Sequence, residues 1–260
     1  MQELSWASPS VRQTLAALKK SPPFVYGQTN YIAANLSANI LLAVGAGPAI
    51  GAAMDWPRCF GAGANAMWLN TAALMSSGPE AIWTAAESAE KAGTPWVLDP
   101  VAMGAGAPEY DHVVRKLLTF HPTVIRGNAS ELIGLAGGSG GGKGVETTAS
   151  SDDALAFIKQ LAVDTGAIVA VSGPVDYITD GTTVYAVKGG DVRLTQVTGA
   201  GCSLGALIAA MLANADDPLL AAAAAHAIYA VAAERASGAV GTASFAMAFV
   251  DQLSLLDPAE

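Results

Sequence analysis

Apolar residues recur at helical spacing from Ser8 to Lys20, where Val11, Leu15 and Leu18 share one side before Pro22 and Pro23 end the run. Phe24-Val25-Tyr26 reads as a short strand. Asn30 to Val44 returns to the helical period, with Leu36, Ile40, Leu41 and Val44 along one side, and Gly45 to Ile50 turns the chain into a further strand. Two apolar runs that close on polar or turn-forming residues, Ala66 to Asn70 and Trp96 to Pro100, predict strands. The Ala- and Glu-rich stretch Pro79 to Ala92 between them predicts a helix.

The alternation continues. Val113 to Leu118 is helical, Thr123-Val124-Ile125 is a strand, and Ala129 to Leu135 opens the next helix. Ala154 to Thr165 and Ala167 to Val171 repeat helix and strand, and Tyr177 to Lys188 folds as a hairpin about Asp180-Gly181. Val192 to Val197 is expected to be extended, with a long apolar helix starting near Ser203. The alanine-rich stretch Ala206 to Ala236 is interrupted at Ala215-Asp216-Asp217-Pro218 and reads as two packed helices. Glycines crowd 137 to 144, a mobile loop rather than a domain linker, because the alternation resumes on both sides. This order predicts one α/β domain, residues 1–260, on a mostly parallel sheet covered by helices on both faces.

Composition narrows the function classes. With 52% hydrophobic and 13% charged residues, the chain of 260 residues is globular rather than disordered or coiled-coil. Its net charge of -9 argues against nucleic acid or an anionic membrane as partner, since both demand clustered Lys and Arg. A phosphate-bearing small ligand needs only a few local donors. Cys59 and Cys202 supply no disulfide framework, and with no signal sequence the expected location is the reducing cytoplasm. His112, His121 and His226 form no Cys/His metal cluster. Mean hydropathy is positive, yet neither half of the alanine stretch is a clean apolar span of about 20 residues.

Ligands of parallel sheets bind beyond the carboxyl ends of the strands. Asn70, Asp99, Arg126-Gly127-Asn128 and Ser172-Gly173 each follow a predicted strand, and Thr198-Gly199-Ala200-Gly201-Cys202 precedes the apolar helix, so all five are expected on one rim. Gly199 and Gly201 let backbone N–H groups turn onto an anion at a helix N-terminus, where the peptide dipoles add positive potential. Cys202 on that turn has a reason for a lowered pKa, which would make it a base or a polar contact beside a phosphate; alone, it reads equally as a small buried hydrophobe. Asp99 and Glu131 are candidate Mg²⁺ ligands, directly or through water. Arg126 can fork onto phosphate oxygens and Ser172 can hydrogen-bond them. Singly, these residues would read as a turn cap, a solvated acid and a structural ion pair. Jointly they point to phosphoryl transfer.

Leu98-Asp99-Pro100-Val101, Ile125-Arg126-Gly127-Asn128-Ala129-Ser130-Glu131, Gly141-Gly142-Lys143-Gly144-Val145 and Val197-Thr198-Gly199-Ala200-Gly201-Cys202 together resemble the hydroxyethylthiazole kinase family. Thr29-Asn30 and Gly45-Ala46-Gly47-Pro48 match it near the N-terminus, so the resemblance covers nearly the whole chain. It implies a ribokinase-like three-layer αβα sandwich with a mostly parallel central sheet. The implied activity is Mg²⁺-dependent transfer of the ATP γ-phosphate to the primary alcohol of 4-methyl-5-(2-hydroxyethyl)thiazole in thiamine salvage, by a homotrimer with active sites at subunit interfaces.

By the same resemblance, Cys202 stands where related sugar kinases carry a catalytic aspartate, with Gly199 and Gly201 around the transferred group. Arg126 and Ser172 fall at ATP-binding positions, and Asn128 and Glu131 belong to the Mg²⁺-phosphate region; Asn128 and Thr198 are taken with them as nucleotide-binding. Ile50 and Gly199 match thiazole-site positions, with Asn30 and Ala72 on the same side. Departures gather at the alcohol end. Tyr26 stands where the family usually has histidine, Ile50 replaces methionine, Ala72 glycine and Pro174 glutamate, and Gly241-Thr242-Ala243-Ser244-Phe245 replaces a Gly-Pro-Gly-Ser-Phe segment. They leave two alternatives: a kinase of a different small alcohol with a reshaped acceptor pocket, or a non-catalytic ligand-binding homologue.

Overall fold

Short apolar runs become the strands, and the 3.6-residue pattern between them becomes helix. The computed structural model describes residues 1–138 and 149–260; the motif at 141–145, and all of the glycine-rich segment but Gly137 and Gly138, lie outside them. The chain begins with β1 (Gln2–Leu4), α1 (Pro9–Lys20), β2 (Phe24–Gln28), α2 (Tyr31–Val44) and β3 (Gly47–Ile50). It continues through α3 (Trp56–Gly63), β4 (Ala66–Asn70), α4 (Pro79–Ala92), β5 (Trp96–Asp99), α5 (Pro108–Leu117), β6 (Val124–Asn128) and α6 (Ala129–Leu135). α7 (Ser151–Thr165), β7 (Ile168–Ser172), the hairpin of β8 (Val175–Thr179) and β9 (Val184–Lys188), then α8 (Ala200–Leu212), α9 (Pro218–Arg235) and α10 (Thr242–Leu255) complete it.

Among the described residues the strands form one sheet in the order β1-β9-β8-β7-β6-β5-β4-β2-β3. Every neighbouring pair is parallel except those made by β8, which runs against β7 and β9. Helices cover both faces. Val11, Leu41, Leu207, Ile228 and Phe249, from α1, α2, α8, α9 and α10, build the core on one face. Ile82, Val114, Leu132 and Ile158, from α4, α5, α6 and α7, build it on the other, with Trp56 and Phe60 of α3 packed at its margin. The result is the expected αβα sandwich. All five residues of β4 are buried, as the centre of a doubly covered parallel sheet demands. Among the described residues no helix is long and apolar enough to cross a membrane.

Several local expectations are corrected. Val192–Gln196 is a turn of 3-10 helix, not extended, because the Asp191 carboxylate accepts from the Arg193 backbone N–H and also pairs with its guanidinium. α8 begins at Ala200, three residues before Ser203, and β2 continues two residues past Tyr26 to Gln28. β1 and α3 escaped the pattern. β1 is three residues long with a single buried side chain, too little for alternation to register. α3 carries Gly61 and Gly63, poor helix formers; a Cβ at Gly61 would lie 2.7 Å from the Ala85 carbonyl, so close packing on α4 selects glycine there.

Candidate active site

Parallel register brings the polar strand ends together: Asn70 of β4 lies opposite Asp99 of β5, and Asn128 of β6 opposite Ser172 of β7. Arg126, the third residue of β6, sits at their centre. Its Nη1 donates to Asp99 Oδ2 (3.2 Å) and to the Gly201 carbonyl (2.8 Å), and its Nη2 donates to Ser172 Oγ (3.1 Å). Nε is buried with no partner, so part of the guanidinium's donor capacity is uncommitted. Asp99 Oδ2 also accepts from Asn70 Nδ2 (2.8 Å), whereas Oδ1 is buried and unpaired. Burial pushes the Asp99 carboxyl above the usual carboxylate range, and Arg126 and Asn70 pull it back.

The α8 turn closes over this pair. Gly199 is the N-cap residue with φ 85°, and a Cβ there would lie 3.1 Å from Ala33 Cα of α2, so both conformation and close approach require glycine. Gly201 turns its carbonyl to Arg126, and Thr198 is exposed just ahead of the turn. Cys202, in the first turn of α8, overturns the expectation of a lowered pKa. Burial, reinforced by the nearby Asp99 charge, pushes the thiol up to about 12.

Glu131 is not a solvated acid; it is 6% exposed. With Asn128 it forms a capping box at the start of α6: Asn128 Oδ1 accepts from the Glu131 N–H (3.0 Å), and Glu131 Oε2 accepts from the Asn128 N–H (2.9 Å). Glu131 Oε1 accepts from the Ala102 N–H (3.0 Å), which ties the segment after Asp99 to α6. Burial and then the Asp99 charge push this carboxyl up to about 7.

Beside the rim lies a cavity of about 410 Å³, lined by Gln28, Thr29, Tyr31, Ile50, Trp56 and Ser76 among others. Ile50 occupies its wall. Ala72 does not line it: it is buried, its N–H bound to Asn70 Oδ1 (3.1 Å), and Ala73 faces the cavity instead. Asn30 caps α2, accepting from the Ala33 N–H (2.8 Å). Thr29 Oγ1 donates to Asn70 Oδ1 (3.2 Å), so hydrogen bonds run from the cavity wall through Asn70 to Asp99.

Sequence reasoning missed Gln28 and the role of Tyr26. Tyr26 donates to the Gly51 carbonyl (2.8 Å) and accepts from Gln28 Nε2 (2.9 Å), fixing the turn beside Ile50. The signal existed, since Gln28 closes an apolar run as Asn70 does, but ending the strand at Tyr26 hid it. Trp56 and Ser76 lie outside any strand end and carried no such signal.

A mostly parallel sheet whose carboxyl edge holds a glycine-bearing helix N-terminus, a buried Arg–Asp pair and an adjoining cavity suits an α/β kinase of the ribokinase-like class. Comparison with known proteins then gives the particular family. The chain belongs to the hydroxyethylthiazole kinase family, whose family model matches residues 15–259. The hydroxyethylthiazole kinase of Burkholderia pseudomallei (strain 668) is 71% identical over 260 residues, which covers 100% of this chain and 94% of that protein. The solved hydroxyethylthiazole kinase protein from Pyrococcus horikoshii OT3 is 32% identical with a TM-score of 0.86, covering 95% of this chain and 93% of that one. Bacillus subtilis pyridoxal kinase, solved as an ADP complex, is similar in fold alone, at 19% identity and a TM-score of 0.62 over 83% of this chain and 93% of its own.

Proposed function

We propose that this protein transfers the γ-phosphoryl group of ATP to the primary alcohol of 4-methyl-5-(2-hydroxyethyl)thiazole, as a step of thiamine salvage. The observation that carries this reading is the chain of hydrogen bonds from Thr29 at the cavity wall through Asn70 to Asp99, under the N-terminus of α8. It couples an acceptor-sized cavity to the charged rim. ATP phosphates meet the Ser172 turn, Asn128, Thr198 and the free donors of Arg126, while the alcohol enters from the Ile50 side, near Asn30, with its hydroxyl toward Cys202. The N–H groups at Gly199 to Cys202 then receive charge as it develops on the moving phosphoryl.

A thiol pushed up to about 12 stays protonated at neutral pH, so Cys202 acts as a contact rather than a base. A loose phosphoryl-transfer transition state asks little of a base in any case. The residues fit Mg²⁺: Asp99 Oδ1 is the orphaned buried acceptor, and Glu131, whose carboxyl feels the Asp99 charge, is the second candidate, through water. Among the described residues no three metal-type side chains cluster, and Mg²⁺ generally takes few carboxylates and keeps several waters. When bound, Mg²⁺ would neutralise charge on the phosphates.

Exposed Tyr31, Ile32, Met54 and Met75 lie on or next to segments that line the cavity and support a subunit interface there; the homotrimer is the assembly the family resemblance implies. Light scattering should then return three times 26.1 kDa. A cytoplasmic location belongs to the same reading. Coupled ADP release with the thiazole alcohol is the direct assay, and no turnover above the ATP-only background would refute the reading. The β-branched Ile50 wall favours, as a second reading, another small alcohol; a kcat/KM higher for such an acceptor than for the thiazole would select it.

A further inference from the structure

α9 is almost entirely alanine and aliphatic on its buried face, yet it carries one fully buried imidazole. His226 is 0% exposed, and its Nδ1 lies 2.7 Å from Asp176 Oδ2. Its Nε2 is buried and has no partner, so among the described residues all of the ring's hydrogen bonding goes to Asp176. A buried polar group with half its capacity unused is unfavourable by itself and is explained by what the used half holds. Asp176 in turn accepts, through Oδ1, the Gly173 N–H at 2.8 Å. Gly173 follows Ser172, whose Oγ accepts from Arg126.

The turn between β7 and β8 is therefore tied at both ends. Arg126 holds it from the rim, and His226 holds it from behind through the Asp176 carboxylate, whose other oxygen accepts the Gly173 N–H. Gly173 has no room for adjustment toward its other neighbour, since a Cβ there would meet the Ser151 side chain at 2.7 Å. Small displacements of this turn move Ser172 directly.

We propose that His226, acting through Asp176, is a positioning residue that fixes the Ser172-Gly173 turn for the nucleotide phosphates. Neither residue touches substrate. The proposal rests on the reading of Ser172 as a nucleotide contact, and a Ser172→Ala control separates the two.

The test is steady-state kinetics of the full chain with ATP and the alcohol varied separately. His226→Leu removes the donor and is expected to raise KM for ATP about three- to tenfold, with KM for the alcohol within about twofold. His226→Asn can place an N–H near the Nδ1 position and should restore most of the ATP affinity. Asp176→Ala alters a partly exposed residue at the start of β8 rather than the core, so it provides the measurement if His226→Leu fails to fold, and it should show the same rise. In the double variant the two effects should not add, because one residue works only through the other. Lowered thermal stability with both KM values unchanged would assign the pair to packing and overturn the proposal. If Ser172→Ala also leaves KM for ATP unchanged, the nucleotide reading fails; if Ser172→Ala raises it while the His226 and Asp176 variants do not, only the brace fails.

Discussion

Arg126 Nη1 lies 3.2 Å from Asp99 Oδ2, with the arginine side chain 6% exposed and the aspartate 0%. The same guanidinium reaches Gly201 at the start of α8 and Ser172 at the end of β7, so one side chain on β6 holds two neighbouring strand ends and a helix N-terminus in fixed relation. The Asp99–Arg126 contact spans 27 positions of sequence and the Gly201–Arg126 contact spans 75.

Removing one partner of such a pair leaves the other charge buried. Arg126→Met is expected to destabilise the fold by about 3–5 kcal/mol, read as a shifted urea midpoint. Arg126→Lys keeps the charge but cannot reproduce the three bonds; it should fold and lose most of its turnover in the ADP-release assay. An unchanged urea midpoint for Arg126→Met would show that the pair is structurally idle.

Cys202 and Cys59 should differ sharply in reactivity. A thiol raised to about 12 remains protonated, and only thiolate alkylates quickly, so iodoacetamide should label exposed Cys59 well before Cys202 across about pH 6 to 9. No step in the kcat profile over that range should be traceable to Cys202. Comparable labelling of both at neutral pH, seen by peptide mass spectrometry, would contradict the buried neutral thiol.

Ala102 adopts φ 61°, a left-handed conformation that disfavours any residue with a Cβ, while its N–H holds Glu131. Ala102→Gly keeps that hydrogen bond and relieves the strain. The expected gain is up to about 1 kcal/mol, or a rise of a few degrees in Tm. Ala102→Val should move Tm the other way, because branching at Cβ aggravates the same clash.

Tyr26 ties the Gly51 turn to Gln28 from a fully buried position. Tyr26→Phe leaves the Gly51 carbonyl without this donor at a cost of about 1–3 kcal/mol and loosens the wall that carries Ile50. KM for the alcohol should rise about three- to tenfold while KM for ATP stays within about twofold. An unchanged alcohol KM would reduce Tyr26 to its edge-on ring contact with Phe60.

Much of the fold was legible because its signals are local. β4, α4 and α6 fall on the predicted residues, since a closed apolar run or a helical period specifies them without reference to the rest of the chain. Polar residues ending those runs marked Asn70, Asp99, Arg126 and Ser172 as one rim, and parallel register brings them there. Val192–Gln196 was misread because a local Asp191–Arg193 cap overrode the extended tendency. Ile50 lines the cavity, and whether Ala72 or Ala73 faces it depends on how a 3-10 turn aims its side chains, which no local pattern carries.

By itself the sequence determined the alternation of strand and helix, the layers it builds and the residue types at the strand ends, because each follows from periodicity and run length along a few neighbouring positions. Only the tertiary structure decided what those residues do to one another. It placed most of Arg126's bonds within the rim, raised Cys202 where a helix start alone would have lowered it, and set His226 behind Ser172 through Asp176. Burial and juxtaposition govern all three, and both arise from packing between segments far apart in the chain, where local pattern carries no information.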